Sequence, residues 1–101
     1  MSKFRFDAID KILHMLEDPK NISKAIRTGK FSAASYIMCS RLAKIIDEPE
    51  LIIDVGANEG QFSSSASIFF PSARIDAFEP IPECFDILTQ NTKSIERITA
   101  Y

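Results

Sequence analysis

Leu51-Ile52-Ile53-Asp54-Val55 runs directly into Gly56-Ala57-Asn58-Glu59-Gly60, and this junction constrains the fold more than any other stretch of the chain. Five nearly unbroken apolar residues suit a strand buried on both faces, as in a parallel sheet covered by helices. Two glycines four positions apart then make a turn, and Gln61 to Phe70 reads as a helix, with Phe62, Ala66 and Phe69 on one side and Pro71 as its stop. Arg74 to Phe78 is a second strand. Pro82 suits the first turn of the next helix, from which Cys84, Phe85 and Leu88 face inward. Arg97 to Tyr101 begins a third strand. Strands alternating with helices imply a parallel α/β sheet joined by right-handed crossovers.

The first fifty residues read differently. Asp7 can cap a helix, and Ile9, Ile12, Leu13 and Leu16 follow helical spacing until Asp18-Pro19 ends it. A short helix is expected over Ile22 to Thr28, with Asn21 as cap and Gly29 beyond its end. A longer one runs from Ser32 to Ile46, with Met38, Cys39, Leu42, Ile45 and Ile46 on one face. The chain therefore divides into a helical lead-in, 1–50, and an α/β portion, 51–101. Its third strand stops at Tyr101, so the sheet reads as truncated there, with an exposed edge open to self-association.

Composition excludes several classes. Apolar residues form 46% of the 101, enough for a core. A net charge of −2 with scattered Lys and Arg does not make a nucleic-acid surface. No apolar run approaches a membrane span, and no signal peptide is visible. Cys39 and Cys84 are expected as buried free thiols, which fits a reduced, cytoplasmic setting. His14, the one histidine, sits far along the chain from the glycine turn and reads as a packing or surface residue. Phe31 and Tyr36 read as core, and Ser63-Ser64-Ser65 as a small-residue helix face.

The turn is the candidate site. In open parallel sheets, ligands bind beyond the carboxyl ends of the strands. Gly56 and Gly60 permit close backbone approach, and the helix N-terminus after Gly60 suits an anionic group. Glu79 ends the second strand, nineteen positions after Gly60, where an acid reaches the ribose hydroxyls of an adenine-containing cofactor. Asp76, inside that strand, is less well placed. Phe78, Pro80 and Ile81 supply apolar surface for adenine. Asn58 is read both as an N-cap and as a ligand contact. The dinucleotide fingerprint GxGxxG, begun at Gly56, needs glycine at 58 and 61, where Asn58 and Gln61 stand, and no GK[ST] of a P-loop is present. A nicotinamide-dependent oxidoreductase is thereby disfavoured. What remains is a glycine turn, a helix N-terminus and a ribose acid without a pyrophosphate cradle, the set that S-adenosylmethionine requires. Asp54, at the mouth of the first strand, is placed to favour that cofactor's ammonium.

The run Ile53-Asp54-Val55-Gly56-Ala57-Asn58-Glu59-Gly60-Gln61-Phe62, followed by Phe78-Glu79-Pro80, resembles the FkbM-type methyltransferase family, whose signature pair is DVGAN-x-G and FEP. Asn91 also fits its pattern. The resemblance covers roughly Leu51 to Tyr101. It implies a Rossmann-like, class I, S-adenosylmethionine-dependent enzyme, with O-methyl transfer to a hydroxyl of a sugar or natural product. It further implies that Asp54, Gly56, Ala57, Asn58 and Gly60 form the methionine-side loop, that Glu79 holds the ribose, and that Pro80 belongs to the cofactor site. A complete class I domain has about seven strands, and its later segments bring the acceptor and any base. The 101 residues alone therefore read either as part of such an enzyme or as a non-catalytic fragment keeping part of the cofactor site.

Overall fold

The structure is a computed structural model and describes residues 31–101. The helices expected after Asp7 and over Ile22 to Thr28, together with His14, lie outside the described residues. The elements are α1 (Ala33–Ile45), β1 (Leu51–Val55), α2 (Gln61–Phe69), β2 (Arg74–Phe78), α3 (Pro82–Thr92) and β3 (Ile98–Ala100). The order β1-β2-β3 is parallel throughout. Leu51 to Val55 pair with Arg74 to Phe78, and Ile75 to Ala77 pair with Ile98 to Ala100.

Both crossovers step the same way, and crossovers of one hand stepping one way place their helices on one face of a sheet. The main core cluster joins that face to the helices: Ile75, Ala77 and Ile98 from the strands, Ala66 from α2, Leu88 from α3 and Cys39 from α1. Alternation along each strand sends Ile52 and Asp54, Ile75 and Ala77, and Ile98 and Ala100 to this side.

The opposite face is open among the described residues, which corrects the expectation of a strand buried on both faces. Leu51, Ile53 and Val55 are 41%, 60% and 81% exposed. Their side chains point to the side that no described helix covers. Phe78 and Tyr101 stack on this open face, centroids 4.8 Å apart, and Asp76 lies there beside Arg74, at 3.5 Å.

Ser32 caps α1, its hydroxyl accepting from the Ser35 N–H. Of the face expected for α1, Cys39 is buried and Leu42 packs on the core, but Met38, Ile45 and Ile46 are exposed and Tyr36 and Ile37 are buried instead, so the buried face is partly rotated. The cause is local: the Tyr36 ring packs edge-on against Phe69 of α2 at 4.9 Å and against Phe31 at 6.3 Å. This is the core role expected for Tyr36 and Phe31. On α2, Ser63, Ser64, Ser65 and Ser67 are all buried, the small-residue face that lets α1 and the sheet approach closely. Arg97, just ahead of β3, donates to the carbonyls of Ser67, Phe70 and Ala73. These include the free carbonyls at the α2 C-terminus, a cap invisible in the sequence because it arrives from 24 or more residues away.

Candidate cofactor-binding site

The turn between β1 and α2 is held by its own backbone. Gly56 and Ala57 both donate to the Phe78 carbonyl at 2.9 Å, and Gly60 donates to the Ala57 carbonyl at 2.9 Å. Glu59 donates to the Gln61 side chain at 3.2 Å. Gly56, Asn58 and Gly60 have φ of 76°, 53° and 96°. This left-handed region is open to glycine and tolerated by asparagine. The N-cap of α2 is Gly60, without a side-chain cap. Asn58 is not the cap, contrary to one of its two readings, because it sits two residues too early, inside the turn.

Glu79 closes the arrangement. It is only 8% exposed, and its carboxylate accepts from the Asn58 N–H at 2.7 Å and the Ile81 N–H at 3.0 Å. It therefore lies on the same side as the glycine turn and ties that turn to the segment after β2. A carboxylate offers about four acceptor positions, so two remain for hydroxyl donors after these bonds.

Asp54 faces the helix side of β1 and accepts from the Ser63 hydroxyl at 2.7 Å. Ser63 lies on the first turn of α2; the sequence marks it only as part of a small-residue face, because a serine run carries no directional signal. Asn91 of α3 donates through Nδ2 to the Glu59 carbonyl at 2.8 Å. Ala57 is buried, whereas Pro80 and Ile81 are exposed beside Glu79. Asp54, Gly56, Ala57, Asn58, Gly60, Glu79 and Pro80 thus gather at the carboxyl ends of β1 and β2. A separate cleft lies between α2 and the β3 approach, lined by Ile68, Pro71 and Ile95.

Every N–H from Gly56 to Gly60 is engaged within the chain. A turn that cradles phosphate needs those donors free. The donor set therefore fits a ligand recognised through hydroxyls and an open helix terminus, and does not fit a pyrophosphate.

The thiols are poor nucleophiles. Cys39 is fully buried, and burial, then the charge of Asp54, push its pKa from 9.0 up to about 12. Cys84 is half-buried rather than buried as expected. Its pKa is raised by partial burial first, then by Glu79, Glu59 and Glu83. Among the described residues no cluster of three potential metal ligands occurs, and no helix is long and apolar enough to cross a membrane.

No family model matches the chain. Over 53 residues it is 43% identical to methyltransferase sdnD of Sordaria araneosa, a match covering 52% of this chain and 20% of that protein. The structure of P. horikoshii TYW2 in complex with MeSAdo matches with a TM-score of 0.54 and 31% identity, covering 71% of this chain and 28% of that one. The chain thus spans about a fifth of the length of the curated relative that it matches. In sequence and in fold it is similar to class I methyltransferases, and its parallel sheet is Rossmann-like.

Proposed function

We propose that this chain forms the cofactor half-site of an S-adenosylmethionine-dependent methyltransferase of the FkbM type, acting on a hydroxyl oxygen of a sugar, glycan or natural product. One observation carries the reading: the buried Glu79 carboxylate meets the Asn58 N–H at 2.7 Å while the turn has no N–H left for phosphate. The similarity to sdnD and to a structure holding MeSAdo supports it. Residues 51–101 supply the half-site, with 1–50 as a helical lead-in. Two acceptor positions of Glu79 take the ribose hydroxyls. Gly56, Ala57, Asn58 and Gly60 line the methionine side, Asp54 attracts the ammonium, and Pro80 borders the adenine. When bound, S-adenosylmethionine supplies an electrophilic methyl group on its sulfonium. The chain's contribution is to fix that group for in-line approach by the acceptor. The two unpaired thiols accord with a reduced, cytoplasmic setting.

The test is thermal stabilisation of the full chain by S-adenosylmethionine, since a ligand that binds only the folded state raises the melting temperature. A rise is expected for the native chain, and Glu79→Ala should lose most of it. Equal rises in both would remove Glu79 from the site. A larger rise with NAD than with S-adenosylmethionine would overturn the reading.

A second reading is favoured by the open sheet face: the 101 residues fold and bind but do not catalyse, and self-associate through the exposed sheet. Methyl transfer to any hydroxyl acceptor by the 101-residue chain would exclude it.

A further inference from the structure

The turn is also gripped from the α3 side. The Glu59–Gly60 peptide is held at both ends: its carbonyl accepts from Asn91 Nδ2 at 2.8 Å, and its N–H donates to the Ala57 carbonyl at 2.9 Å. This peptide leads into the left-handed Gly60 and follows the left-handed Asn58 by one residue; a non-glycine residue in that region persists only where its surroundings hold it. The same helix closes against Gly60 itself. A Cβ there would stand 3.2 Å from Leu88 Cδ1 and 3.2 Å from Thr92 Cγ2. One turn of α3 therefore both crowds and hydrogen-bonds the end of the glycine turn.

We propose that Asn91 is a positioning residue for the cofactor loop, setting the Glu59–Gly60 peptide and hence the direction of the α2 N-terminus without touching the ligand. The proposal rests on the reading of the turn as an S-adenosylmethionine site. Asn91 is half-buried on the α3 side of the turn, and its amide bonds the carbonyl of a residue that no assigned ligand contact uses. The arrangement needs a donor at this position. Aspartate matches asparagine in shape but is an acceptor only when ionised, so Asn91→Asp removes the bond and sets a carboxylate against the carbonyl.

The experiment pairs two readouts on the full chain, native against Asn91→Asp and Asn91→Ala. Amide hydrogen exchange, without ligand, should quicken about tenfold at Asn58 to Gly60 in both variants, the order expected for losing one hydrogen bond. It should stay unchanged at Ile75 and Ala77 in β2. Calorimetric titration with S-adenosylmethionine should show affinity about tenfold weaker by the same reckoning. Unchanged exchange at the turn overturns the clamp. Faster exchange with unchanged affinity overturns its role in binding. Faster exchange spread equally into β2 marks a merely structural residue and also overturns it. A native chain that binds no S-adenosylmethionine refutes the site reading, and with it any role of Asn91 in binding, while the exchange data still decide whether the clamp exists.

Discussion

Gly56 and Gly60 carry the same residue type under different demands. Both need positive φ, which costs a side-chain-bearing residue roughly 1–2 kcal/mol. Gly56 has open space where a Cβ would stand, whereas Gly60 has Leu88 and Thr92 at 3.2 Å. Gly60→Ala should therefore destabilise by about 2–3 kcal/mol and Gly56→Ala by about 1 kcal/mol, as read from urea midpoints. Cys39 supplies a pH signature. The folded chain keeps the thiol proton up to about pH 12, while the unfolded chain releases it near 9.0. Above 9.0 the unfolded state binds fewer protons, so stability falls as pH rises, by at most about 1.4 kcal/mol per pH unit. Cys39→Ala should lose stability at neutral pH but decline less steeply between pH 9 and 11 in denaturant titrations. At this scale, the positive-φ turn at Gly56 and Gly60 and the nearness of Glu79 to it were legible in the sequence, because residue type and the strand–turn–helix spacing fix both. The partners of Ser63 and Asn91 were not, since hydrogen bonds between different elements, across 9 and 32 residues, leave no local pattern.

Among the elements, α2 shows how a short helix is stabilised from outside. It has nine residues, marginal in isolation, and no charged residue in either terminal turn. Arg97 compensates with bonds to three carbonyls at 2.6–3.1 Å. Arg97→Met should cost about 2–3 kcal/mol, since hydrogen bonds from a charged group are worth about 1.5–3 kcal/mol each and this one is half-exposed. Arg97→Lys should recover only part, because a point charge cannot fork among three acceptors; chemical denaturation measures both. Alternation of strands and helices made the order of elements readable in advance, and Pro82 marked the start of α3 within the first turn. The exposed side of α1 was misread because Tyr36 docking on Phe69 rotates the helix, and aromatic docking outweighs the aliphatic spacing that suggested Met38 and Ile45.

At the scale of the whole molecule, the sheet is covered on one side only among the described residues. The uncovered column Leu51, Ile53 and Val55 is apolar and exposed, the kind of surface that mediates association. Ile53→Thr should leave the unfolding midpoint within about 1 kcal/mol and reduce concentration-dependent association of the 101-residue chain in sedimentation velocity. The Arg97 cap also bears on how this molecule assembles in time. Residues 51–78 contain a complete strand–helix–strand unit, yet the far end of its helix stays unsealed until a guanidinium from nineteen positions further along reaches it. A chain cut at residue 78 would therefore lack these bonds, and the strand–helix–strand unit gains their contribution only once Arg97 has joined it.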